Sequence, residues 1–152
     1  MKGVRWLVAL TILGGALIVA ERPALAQWCS FGTTSVSFGS YDVFGTVPLA
    51  STGSVTYRCL LANSMTIWLG KGNAPTNNPR QMSNGTDLLY YNLYLDAAHN
   101  LIWGDPTPNR YFDNGPIFLW QPTTVTVYGL IPSGQDVPAG AYTDTVVVTF
   151  QF

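Results

Sequence analysis

The chain is poor in the residues that carry chemistry. Its 152 residues include one histidine (His99), one glutamate (Glu21) and two cysteines (Cys29 and Cys59), and only 10% are charged. His99 lies in Asp96-Ala-Ala-His-Asn100, a turn-like sequence, and no Gly-x-Ser-x-Gly nucleophile elbow appears. Asp pairs such as Asp105 and Asp113 are the candidates for a glycosidase-like carboxylate pair. Both stand in Gly/Pro/Asn-rich sequence, where Asp is an ordinary turn former. Asp105, Asp113 and Asn114 lack the spacing of a calcium loop, and one histidine with two cysteines is a thin ligand set for zinc. The sequence reads as non-enzymatic, with no cofactor and no metal.

Helical periodicity is also missing beyond residue 26. Before it, Lys2 and Arg5 form a basic start, Trp6 to Ala20 is an uncharged, mostly apolar run, and Ala24-Leu25-Ala26 is an A-x-A cleavage box. The run is shorter than the ~20 residues of a membrane-spanning helix. Residues 1–26 therefore read as a secretory signal peptide, and 27–152 as one mature domain of 126 residues. That domain carries four basic residues (Arg58, Lys71, Arg80, Arg110) against seven aspartates, a formal charge of −3. Without a basic patch, nucleic acid is a poor partner. In an exported chain, Cys29 and Cys59 are expected to pair as a disulfide.

What the chain does have is alternation. The last eleven residues place Tyr142, Val146, Val148, Phe150 and Phe152 on one face and Thr143, Thr145, Val147, Thr149 and Gln151 on the other. Similar short segments occur at Val36–Phe38, Ser54–Cys59, Met65–Leu69, Leu89–Leu95 and Thr124–Tyr128, with weaker ones near Val47–Leu49 and Gln81–Met82. Two stretches, 71–79 and 103–122, read as long loops. Many short strands separated by turn residues imply an all-β sandwich or barrel.

The ordered set of motifs resembles the spore coat protein U domain family, shared by subunits of archaic chaperone–usher pili. The matching pieces include Cys29, Phe38-Gly-Ser-Tyr-Asp42, Thr52-Gly-Ser-Val-Thr-Tyr-Arg-Cys59 and Leu69-Gly-Lys-Gly72. They continue with Arg80-Gln-Met82, Leu89-Tyr-Tyr-Asn-Leu-Tyr-Leu-Asp96, Trp103-Gly-Asp105, Val127–Gln135 and Val137–Asp144. The resemblance implies an immunoglobulin-like sandwich lacking one strand. It further implies that a periplasmic chaperone and then another pilus subunit complete the sandwich by strand addition at an outer-membrane usher. Val146, Val148, Phe150 and Phe152 would wall the acceptor groove, although on pattern alone they equally fit a closed core. Only Gln27 and Trp28 precede Cys29 after the expected cleavage, so the chain is expected to accept a strand and not to donate one.

The resemblance thus implies a structural or tip subunit acting in surface attachment and biofilm formation. The alternatives are a self-complete secreted coat protein and a secreted carbohydrate-binding module. Tyr111, Phe112, Phe118 and Trp120 fall in a loop-like segment and would form an adhesive loop for a surface or a glycan. The run Ile117–Trp120 fits a buried strand equally well.

Overall fold

The computed structural model describes residues 28–60, 62, 64–104, 111–113 and 120–151. The expected signal peptide, Phe118 and Phe152 lie outside them, and so does the side chain of Phe112.

Among the described residues, eight strands form two sheets. β1 (Trp28–Thr34), β2 (Leu49–Leu60), β4 (Arg80–Ser83), β5 (Leu88–Tyr94) and β7 (Thr123–Ile131) build a five-stranded sheet in the order β1-β2-β7-β5-β4. β3 (Met65–Leu69), β6 (Tyr111–Asp113) and β8 (Val148–Gln151) build a second sheet in the order β6-β3-β8. All pairings within the named strands are antiparallel. No helix occurs among the described residues. The architecture is the all-β sandwich that the alternation allowed, of the immunoglobulin-like type that the resemblance implied.

The period of two sets which residues meet between the sheets. Val55, Tyr57 and Cys59 of β2, Leu89, Tyr91 and Leu93 of β5, and Val127 and Ile131 of β7 share one face of the large sheet and meet Met65, Ile67 and Leu69 of β3 in one buried cluster. Trp103 is fully buried in the same cluster and donates its indole N–H to the Ile67 carbonyl at 2.9 Å. It stands in a segment expected to be loop, and so does β6, which pairs with β3 through Ile67↔Tyr111. The disulfide joins Cys29 and Cys59, which lie directly opposite each other in the β1–β2 ladder.

Three expectations are corrected. Val36–Phe38 is not a strand. It lies across a smooth patch of the large sheet, where Gly53 and Gly129 leave room. A Cβ on Gly53 would sit 2.7 Å from the Thr34 carbonyl oxygen, and one on Gly129 would sit 2.6 Å from Val36 Cγ1. Conversely, β1 is a strand that alternation did not mark. Its outer position exposes most of its side chains, and its backbone ladder with β2 and its disulfide hold it. The terminal strand is also shorter than expected. Its inward–outward alternation runs back to Tyr142, but ladder pairing begins only at Val148.

Candidate functional site

Two segments flank an opening between the sheets. Residues 35–48 and 132–147 form no strand, and their single bridge is Ser83↔Thr143. Between them lies a cavity of about 1040 Å³. Residues 33–44 form one wall, and Val137 to Val148 supply much of the other. The floor is apolar and includes Val55, Leu69, Met82, Leu89, Leu93 and Ile131. The slot therefore has core residues at its base and, on both sides, backbone outside any ladder. That is the shape and chemistry a β-strand requires.

Hydrogen bonds pin both walls of the slot. The Tyr41 hydroxyl donates to the Pro132 carbonyl at 2.9 Å and accepts from the Gln135 N–H at 2.9 Å, tying the first wall to the chain after β7. Asp42 accepts from the N–H of Phe44 (3.0 Å, side chain) and of Gly45 (3.1 Å, backbone), closing a turn that leaves Phe44 91% exposed. On the second wall, the Gly70 N–H donates to the Val147 carbonyl at 2.8 Å, and Ser83 and Thr143 exchange two backbone bonds.

Asp144 interrupts the apolar row of that wall. Its Oδ1 accepts from the N–H of Asn73 at 2.9 Å and of Thr145 at 2.8 Å, and its Oδ2 accepts from the Tyr91 hydroxyl at 2.6 Å. Gly72, at φ +63°, lies so close that a Cβ would overlap the carboxylate. These bonds draw the chain toward the 71–74 turn, which is why β8 starts only after Val147. Burial, followed by the bond to Asp144, pushes the Tyr91 hydroxyl well above its ordinary pKa.

Behind the cavity, Arg80 is fully buried. It donates Nε to the Gly70 carbonyl (2.9 Å), Nη2 to the carbonyls of Leu69 (3.1 Å) and Trp103 (2.6 Å), and Nη1 to Asn92 Oδ1 (3.1 Å). This fork fastens the end of β3 to β4 and β5, so one side chain links the two sheets. Burial lowers its pKa, opposed by its electrostatic interactions with Tyr91 and Asp144. Sequence reading missed Arg80, Trp103 and Asp144 as site supports. The signal for Asp144 was visible: it is the one charged residue on the inward parity of the terminal segment.

The residues expected to wall the groove divide. Val146 and Val148 line the cavity. Phe150, two residues past Val148, instead stacks on Phe31 at a centroid distance of 4.1 Å, joining β8 to β1 across the sheets. Phe152 lies outside the described residues. The expected adhesive cluster also divides. Tyr111 is half-buried on β6, its ring 6.3 Å from Tyr57 and 6.5 Å from Trp103, so it belongs to the core's edge and not to an exposed loop. Trp120 is 39% exposed, with the Arg58 guanidinium 5.0 Å above its ring. Asn84, in the Asn-Gly-Thr sequence, caps its own turn by accepting from the N–H groups of Thr86 and Asp87.

The pattern that describes the Spore Coat Protein U domain matches residues 16–149. The chain belongs to the spore coat protein U domain family. Protein U of Myxococcus xanthus is 37% identical over 142 residues, covering 82% of this chain and 77% of that protein. Among solved structures, the chain is similar to one in the crystal structure of the CsuC-CsuE chaperone-tip adhesion subunit pre-assembly complex, from the archaic chaperone-usher Csu pili of Acinetobacter baumannii. The two share 27% identity at a TM-score of 0.61 over 83% of this chain. This chain spans 40% of that chain's length.

Proposed function

We propose that this family member is an exported structural or tip subunit of an archaic chaperone–usher pilus. Residues 1–26 are its secretory leader, and residues 27–152 are a domain completed by a β-strand from another chain. The observation that carries this reading is the slot: about 1040 Å³ above an apolar floor, between two wall segments that form no strand of their own. The likeness to a chain of a chaperone–tip subunit complex supports a periplasmic chaperone as the first strand donor and another pilus subunit as the second. Assembly then runs through an outer-membrane usher to the cell surface, where the subunit acts in attachment and biofilm formation. Val146 and Val148 are the groove residues that meet the incoming strand. Trp120, with Phe112 and Phe118, remains the candidate contact for a surface or glycan.

A second reading follows the family's name: a coat protein whose slot is filled within the mature chain itself. Periplasmic expression of the full chain with and without a chaperone of the chaperone–usher class, followed by size-exclusion chromatography, separates the two. The pilus reading expects the soluble protein as a one-to-one complex with the chaperone. A stable monomer that ignores the chaperone would favour the coat protein.

A further inference from the structure

Every second residue of the second wall turns inward. Tyr142, Asp144, Val146 and Val148 are half-buried, while Thr143, Thr145 and Val147 between them are exposed. A strand laid along this wall would present alternate side chains to the same interior. Three of the four inward positions are aromatic or aliphatic. The fourth is a carboxylate that lines the cavity together with Tyr91.

An ionised carboxylate offers about four lone-pair sites. Three bonds reach Asp144, from Asn73, Thr145 and Tyr91. An incoming aliphatic side chain would cover the remaining acceptor and strip its water, which is costly. A donor placed there would make a charge-assisted bond, roughly twice as strong as a neutral one.

We propose that Asp144 sets the register and the chemistry of the strand this cleft accepts. The side chain that faces Asp144 carries a hydrogen-bond donor, as in Ser, Thr, Asn or Lys, and the inward neighbours two residues away on either side are apolar. The inference rests on the reading of the cavity as an open strand slot. It adds a specificity-determining residue to that slot. A one-step register slip turns the whole apolar set outward, and a two-step slip brings an aliphatic side chain onto the carboxylate. Asp144 therefore discriminates against the slips that an all-apolar groove would tolerate.

The test uses the exported chain and synthetic peptides in which valine alternates with polar residues. Each inward valine is replaced in turn by threonine, which matches its shape and adds a hydroxyl. Threonine should weaken binding at every inward position but one. At that position it should bind about tenfold to a hundredfold tighter than valine, the scale of one hydrogen bond to a charged acceptor. In Asp144→Asn the preference should shrink toward parity. In Tyr91→Phe, which keeps the carboxylate and frees another of its acceptor sites, the preference should persist. The Tyr91→Phe arm also serves if Asp144→Asn fails to fold. Uniform preference for valine at all inward positions, or a threonine preference unchanged in Asp144→Asn, would overturn the assignment of Asp144 and leave the slot standing. If no peptide binds at all, the slot reading falls and this one falls with it.

Discussion

Arg80 shows how much one side chain does in this molecule. A buried guanidinium is costly unless its donors are satisfied, and here four acceptors from three parts of the chain meet it. Arg80→Ala would leave those carbonyls and Asn92 without their donor and open a void between the sheets. The expected loss is more than about 3 kcal/mol of stability, read from the urea midpoint of the exported chain. Tyr57 and Tyr91 work in a similar way, each donating to an aspartate at 2.6 Å, Asp113 and Asp144 respectively. Burial first, and then those bonds, raise both hydroxyls well above the ordinary value of 10.0. The sign follows from linkage. Below pH 10 both the folded and unfolded states hold these protons, so the stabilisation is fully present. As pH rises past that value the unfolded chain releases its protons first, and the stabilisation drains away. Stability should therefore fall on the alkaline side above pH 10. The fall should be shallower in Tyr57→Phe and Tyr91→Phe, as denaturant titrations at stepped pH would show.

Elements were legible in proportion to how far their side chains, and not their backbones, define them. β2, β3, β5 and β7 each carry one buried face, so the period of two was plain in Val55-Tyr57-Cys59 and Leu89-Tyr91-Leu93. β1 is fixed by its ladder and disulfide while most of its side chains stay exposed, so no alternation announced it. The Val36–Phe38 segment has strand-like alternation because Val36 and Phe38 turn inward, but among the described residues it pairs in no ladder. The cleft was half legible. The terminal row predicted Val146 and Val148 as lining, but the partners of Asp144 at positions 73 and 91 are distant in sequence and could not be read from it. Trp103 and β6 were hidden because their neighbours are Gly, Pro, Asp and Asn. The crossing of the 34–38 segment over the large sheet has its own test. Gly53→Ala places a methyl within 2.7 Å of the Thr34 carbonyl, a backbone atom that cannot swing aside. It should cost about 1–3 kcal/mol, the usual range for overpacking, and it should weaken strand binding by displacing the first wall. Calorimetry and peptide titration read the two effects separately.

Among the described residues the sandwich is closed at one end and has a cavity along one side. At the closed end the disulfide spans a sequence separation of 30 residues and Phe31 stacks on Phe150. In the chain-entropy account a loop of that size is worth about 3–4 kcal/mol. Reduction, or paired Cys29→Ala and Cys59→Ala, should lower the melting temperature by several degrees or abolish folding outright. Along the cavity, the wall segments are pinned by Tyr41, Asp144 and the Ser83–Thr143 bridge, so the slot is formed before anything enters it. A preformed slot avoids part of the ordering cost of binding. In the proposed pilus reading, wall backbone left outside any ladder invites unwanted pairing, which is the physical reason for a chaperone.

The most direct test of this account is thermal unfolding of the exported, chaperone-free chain titrated with one synthetic alternating apolar strand. The account predicts a saturable rise in melting temperature, about 2.7 kcal/mol of added stability at a hundredfold excess over Kd. A matched peptide with its apolar residues shuffled out of alternation should give no rise. Identical melting with and without the alternating strand, across concentrations that saturate ordinary strand addition, would mean that the slot is already filled or does not take strands, and would contradict the account.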